Sequence, residues 1–305
     1  MRAAHRDFGD IMPRITVAVA AAATLALAGC QDLTVENVNS PDRTRATQEP
    51  ISTESFVSTS FRTFWPVAGH DDYPSWAFST IAHEIQSGFA DFGQLELSAE
   101  PRDAWNNSEV NNRRFVNETP WFGLYRTISA VNDALQAIDN GTVIVNAERT
   151  ARAEAVGKFM QGAAHGYLGL YFDKAIIVDE TTQLDTIQGA PDFTEYPAMI
   201  DAAVGMLDEA IAIAQAQNFT LPADGWFYTE MTRDQFVRLA NSYVARLLAY
   251  SPRTRAERAA VDWTEVIRRI DAGIQEDFAP VAQPEILRDD WKRLVARVRT
   301  ASRPS

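Results

Sequence analysis

Arg102, Trp105, Asn106 and Asn107 crowd into one short stretch of this chain, and together they carry the chemistry of a sugar site. An indole ring stacks on the apolar C–H face of a sugar, while amides and a guanidinium bond its hydroxyls. The same residues also fit a loop staple, in which the ring anchors the loop and the amides close its turns. Trp226, beside Gly225, is a second loop tryptophan with the same two readings. Trp121, Trp263 and Trp291 fall in helical stripes and read as core, and Trp76 fits either role.

Other catalytic patterns are weaker. His83-Glu84 opens like a zinc-protease motif, but the second imidazole has to come four residues after the first, and position 87 is Ser. There is no Gly-x-Ser-x-Gly elbow and no glycine-rich phosphate loop, and no metal or cofactor is expected. Paired carboxylates are plentiful: Asp71-Asp72, Asp91, Glu100 with Asp103, and Asp179-Glu180. A glycosidase needs two at a set separation, yet an acidic surface shows the same abundance.

Cys30 is the one cysteine. It closes Leu27-Ala28-Gly29-Cys30, after Arg14 and an apolar run from Ile15 to Ala28. A charged start, a short apolar stretch and a small-residue cleavage site make an export signal. The run is shorter than the about 20 residues of a spanning helix. The box resembles a bacterial lipoprotein signal, which implies removal of 1–29, lipid on Cys30 and anchoring to a membrane. Met12 is an alternative start. A lone cysteine allows no internal disulfide, so packing must hold the fold. The formal charge is −13, and loss of 1–29 makes the rest more acidic. Such a chain repels phosphate backbones, so no nucleic-acid partner is expected.

The elements that must position these residues are helical. Residues 30–52 are polar, lack a period and read as a tether; 53–305 read as one helical domain. Phe56, Val57, Phe61, Phe64 and Trp65 make a first apolar face, and Pro74 to Phe92 a second helix. Residues 93–117 read as an Asn-rich loop. Further helices span about Thr119–Asp139, Ala147–Phe172, Glu195–Gln217 and, after the capping box Thr232-Arg233-Asp234-Gln235, as far as Ser251. Between two of them, Ala175-Ile176-Ile177-Val178 fits a short strand or an apolar plug. A helix from Asp262 is expected to bury Trp263, Val266, Ile267, Ile270 and Ile274. A last one, Pro284–Thr300, carries Leu287, Trp291, Leu294, Val295 and Val298 with Lys292, Arg293, Arg297 and Arg299 on its other face. Gly162, Ala163, Ala164 and Gly166 would let helices approach closely. The fold class is all-α: tetratricopeptide-like helical pairs in a degenerate solenoid with long decorating loops, the strict 34-residue period being absent.

Several segments in order resemble the SusD/RagB family. They are Asp32-Leu33-Thr34-Val35-Glu36-Asn37 through Pro41-Asp42, Ser98-Ala99-Glu100-Pro101-Arg102 with Asn106-Asn107, Trp121-Phe122-Gly123-Leu124-Tyr125 leading to Ala130-Val131-Asn132, Gln161-Gly162-Ala163-Ala164-His165-Gly166-Tyr167-Leu168, and Val261-Asp262-Trp263-Thr264-Glu265-Val266. The resemblance implies a tetratricopeptide-like helical fold and a lipoprotein of the outer membrane that faces outside. It implies capture of a nutrient, often a glycan, for a SusC-like TonB-dependent barrel transporter, without catalysis. Family members are usually much longer, and the likeness fades after about Pro280, so a C-terminally truncated chain with part of the family's ligand site is expected. Two other readings compete: an envelope scaffold without a small ligand, and a surface glycoside hydrolase.

Overall fold

A computed structural model of the chain describes residues 49–70, 72–86, 93–101, 104–111, 113–182 and 192–280. Cys30, the tether up to residue 48, Arg102, Trp291 and the expected helix at 284–300 lie outside the described residues. Among those described, ten α-helices carry the architecture, with two short antiparallel ribbons between them. The chain is all-α, as the periodicity predicts.

The first two helices, α1 (Pro50–Ser58) and α2 (Ser60–Trp65), run into a π-turn at Pro66–His70 and then α3 (Asp72–Ile81). A short α4 (Gln94–Ser98) follows. Two long helices, α5 (Phe115–Asp139) and α6 (Ala147–Tyr171), form a hairpin. Next come β1 (Lys174–Ala175), its partner β2 (Thr194–Glu195) and α7 (Tyr196–Ala216). A second ribbon, β3 (Thr220–Leu221) with β4 (Met231–Thr232), leads into α8 (Arg233–Tyr250), α9 (Arg255–Ala260) and α10 (Trp263–Asp271). Packing follows chain order: α5 on α6, α6 on α7, α7 on α8, and α8 on α10, while α1 to α3 cover α5.

The sequence marks these ends well. Asn146 Oδ1 accepts from the Arg149 amide at 2.8 Å and starts α6. Thr232 and Gln235 close the expected capping box on α8, and Asp262 accepts from Thr264 and Glu265 to start α10. Each such cap stabilises its helix by about 1 kcal/mol. A second capping box, Thr254 with Glu257, starts the short α9, which the periodicity does not reveal.

The core is one large cluster around α6, whose circumference is buried along most of its length. Phe61, Phe64, Phe159, Phe227 and Phe236 fill it, with edge-on contacts such as Phe159–Phe227 at 5.4 Å. The small residues of α6 act as expected. A Cβ on Gly162 would stand 2.8 Å from the Ala203 carbonyl oxygen, and one on Gly166 would stand 2.5 Å from Leu247 Cδ1. Only glycine lets α7 and α8 come so near.

Three expectations need correction. The second helix stops at Ile81 rather than Phe92: His83 takes a left-handed conformation, φ 58°, and the amides of His83 and Glu84 reach back to Thr80 and Ser79. That is a Schellman closure, and it leaves Ile85 exposed. The stretch 93–117 holds α4 and the start of α5, which begins at Phe115, so Pro120 sits in the second turn. On α10, Val266 and Arg269 face the core, while Trp263, Ile267 and Ile270, and Ile274 just past the helix, are 45%, 57%, 54% and 43% exposed. Arg269 takes the inward place because it is paired there: it bonds Asp208 on α7, Glu265 and Asn241.

Candidate functional site

Trp105 stands on the wall of a cleft of about 410 Å³, with Asn106, Asn111, Arg113, Glu96 and Ile81 around it. A satellite cluster of Ala77, Leu97 and Val116, flanked by Trp76 and Phe115, holds the indole half-buried. Gly93, φ 77°, caps α4 beneath it, and a Cβ there would meet both Trp105 at 3.3 Å and Arg113 at 3.2 Å. Arg113 pairs with Glu96 across the cleft. The Trp105 indole N–H is shielded from solvent and has no hydrogen-bond partner among the described residues.

The neighbouring amides are partly committed. Asn106 Oδ1 accepts from the Ser108 amide at 2.9 Å, an Asx turn, and the Asn106 carbonyl accepts from Asn111 Nδ2 at 2.7 Å. Asn107 Oδ1 accepts from Asn117 Nδ2 at 3.0 Å and ties the loop to the first turn of α5. Thus Trp105 and Asn106 line the cleft, Asn107 braces it, and Arg113 supplies a guanidinium that the sequence pattern does not single out. Trp226 is different. It is buried, with the Arg152 guanidinium 4.8 Å over its ring, and acts as a staple.

A second polar site is visible only in the structure. The connection after β1 lies extended across α5 and α6, and side chains satisfy its backbone instead of a strand. Tyr125 Oη accepts from the Ile176 amide at 2.6 Å and donates to the Ile176 carbonyl at 2.9 Å. Asn132 Nδ2 donates to the Val178 carbonyl at 3.0 Å, and Gln136 Nε2 to the Glu180 carbonyl at 3.2 Å. His165 Nε2 accepts from the Val178 amide at 3.1 Å, so the proton sits on Nδ1, which donates to the Gln161 carbonyl at 2.8 Å. Burial pushes the His165 pKa down to about 4, against the opposing pull of the Gln161 carbonyl and Asp179. Burial likewise pushes Tyr125 up to about 12.

Below this segment, Glu180 accepts from Lys158 Nζ at 2.6 Å and Gln161 Nε2 at 2.8 Å. Lys158 also meets Glu209 at 2.7 Å. Burial opposes the charge on Glu180, but the Lys158 and Gln161 bonds outweigh it and hold the carboxyl below its usual range. Asp179 is held low in the same way by Thr181 and Thr182, against burial. Both residues of the Asp179-Glu180 pair are therefore ionised and structural at neutral pH, whereas a glycosidase needs one carboxyl kept protonated as its acid. Asp139 and Glu154, beside Lys158, are pushed up by burial first and then by neighbouring carboxylates.

The polar residues of this network recur at helical spacing: Tyr125, Asn132 and Gln136 on α5, and Lys158, Gln161 and His165 on α6. That spacing is the signal available in the sequence. His83 Nε2 meets Glu100 Oε1 at 3.0 Å. Among the described residues, no group of three or more His, Cys, Asp or Glu is placed to hold a metal ion. None of the described helices is long and apolar enough to cross a membrane.

No family model matches the sequence, and no curated protein matches it. Among solved structures, the chain is similar to a SusD superfamily protein from Bacteroides vulgatus ATCC 8482. The two share 10% identity over 74% of this chain and 43% of that one, with a TM-score of 0.49. The chain thus spans less than half the length of that protein.

Proposed function

We propose that this chain is a SusD-like surface lipoprotein of the outer membrane that captures a nutrient, a glycan or oligosaccharide, and delivers it to a SusC-like TonB-dependent barrel without turning it over. One observation carries the binding role: the cleft at Trp105 sets an indole beside Asn106, Asn111 and Arg113. This gives one apolar ring flanked by hydrogen-bonding groups, the pairing a sugar needs. The segments that resemble the SusD/RagB family include a wall of this cleft. The anchoring role rests on the box around Cys30.

The test is direct. The chain with Cys30→Ala, made without its export signal, is titrated calorimetrically against a panel of oligosaccharides. Binding of at least one is expected, with Trp105→Ala weakening it at least about tenfold, roughly 1.4 kcal/mol. No reducing ends should appear during long incubation. Equal affinity in the Trp105→Ala variant places the ligand elsewhere, and release of sugar refutes the binding-only role. Lipid labelling of the full chain, lost with Cys30→Ala, tests the anchor. Co-purification of a plug-and-barrel transporter tests delivery.

A further inference from the structure

The apolar face of α10 has no cover among the described residues. Trp263, Ile267 and Ile270, spaced four and three residues apart, share one side of the helix, and Ile274 follows just past its end at Asp271. At about 1.5 Å per residue the helical part of the stripe is roughly 10 Å long. It lies about a quarter of a turn round the helix from the face that packs on α8 through Val266 and Arg269. At its far end, Ile274 joins a groove of about 270 Å³ walled by Met231, Leu239 and Phe278, just where the described chain ends at Pro280.

The chain carries a segment cut to the same pattern. In the 25 residues after Pro280, Leu287, Trp291, Leu294 and Val298 repeat the four, three, four spacing of the α10 stripe. We propose that the exposed face of α10 is the seat of the chain's own segment 284–300, laid antiparallel so that Leu287 meets Ile274 and Val298 meets Trp263. From the end of α10 at Asp271 to Pro284 the connection is about twelve residues, longer than most helix–helix connections but enough chain to double back. Such a tether gives the segment an effective concentration in the millimolar range, which a free partner or a second copy has to beat. The pairing also turns the basic side of the segment, Lys292, Arg293, Arg297 and Arg299, outward into an otherwise acidic protein.

Paired cysteines test this in the full chain with Cys30→Ser, which leaves no other thiol. Ile270→Cys with Trp291→Cys should close an intramolecular disulfide under mild oxidation, at least about tenfold faster than Ile270→Cys with Arg293→Cys, whose second position lies on the other side of the segment. Equal rates for the two pairs, or no closure in either, overturn the proposal. Disulfide-linked dimers also overturn it, in favour of a second copy. Hydrogen exchange on the unaltered chain is the companion measurement if the cysteine variants do not fold. Amides of 287–298 should be protected at least tenfold over a free peptide, and peptide-like exchange overturns the assignment.

Discussion

His165 ties the stability of the fold to pH in a way that can be worked out from its contacts. The ring is fully buried, donates from Nδ1 to Gln161 and accepts at Nε2 from Val178. A second proton would land on Nε2 and face the Val178 N–H. The pKa is accordingly about 4 in the folded chain, against an ordinary value of 6.5. Between these values the unfolded chain binds the proton and the folded chain does not. Stability from this group is therefore whole above pH 6.5 and falls as pH drops toward 4. The loss reaches about 3 kcal/mol at pH 4, at about 1.4 kcal/mol for each pH unit crossed. The carboxylates held low, Glu54, Asp179 and Glu180, lose their contribution at more acid pH, and Asp139 and Glu154 pull the other way. A comparison with His165→Gln cancels these, because Gln can still accept from Val178 but does not titrate. At pH 7 the variant should be less stable by about 1–2 kcal/mol through its poorer bonds. At pH 4 the difference should reverse, the variant being more stable by about 1–2 kcal/mol. Urea unfolding at pH 7, 5.5 and 4 reads the difference directly. Parallel loss of stability in both proteins would refute the account of the buried neutral ring.

Glu54 joins α1 to α6 through Arg149 and Arg152. Glu54→Gln leaves two guanidiniums against a neutral group, so a loss of about 2 kcal/mol in urea unfolding is expected; an unchanged midpoint would show that the pair contributes nothing. Gly166→Ala sets a methyl 2.5 Å from Leu247 Cδ1, and should cost about 1–3 kcal/mol by forcing α6 and α8 apart. Gly205→Ala, where nothing lies within 4 Å, is its control and should not destabilise. Tyr125→Phe removes both partners of Ile176, leaving two backbone groups unmet at about 1–3 kcal/mol. Amide exchange at Ile176 and Val178 should rise with it, and unchanged exchange would mean that the segment is held elsewhere.

Sequence and structure agree where one face of a helix does one job. The stripes of α5, α7 and α8, the capping box at Thr232 and the glycines of α6 are all legible because period 3.6 and cap chemistry act locally. They part company where a helix does several jobs at once. On α6, Arg149 and Arg152 hold α1, Lys158, Gln161 and His165 hold the segment after β1, and Gly162 and Gly166 admit α7 and α8. Buried apolar residues such as Val156, Phe159, Met160 and Ala163 share the helix with these polar ones, so the helical spacing of the polar set marks the network but names none of its partners. On α10 the failure has the opposite form. The stripe is real, but the face that Arg269 turns inward is the one built by an ion pair to Asp208, a partner 61 residues away in sequence. Periodicity says which residues share a face, and long-range pairing decides which face is buried.

The same distinction bears on the cleft. Trp105 packs in a satellite cluster with Ala77, Leu97 and Val116, and that cluster is separate from the large core around α6. A tryptophan that served only as a core staple would take much of the fold with it when removed, at about 3–5 kcal/mol for a truncated core aromatic. One that is half-buried on the wall of a cleft should cost less. Trp105→Ala is expected to lower global stability by no more than about 1–2 kcal/mol, while amide exchange quickens across α4 and the first turns of α5 and stays unchanged along α6. A global loss in the range of a core aromatic, with exchange quickened along α6 as well, would make Trp105 a pillar of the fold. Its removal could then no longer report on ligand capture. With the loss confined to the cleft, the effect of the same substitution on oligosaccharide affinity measures the indole's own contribution to binding.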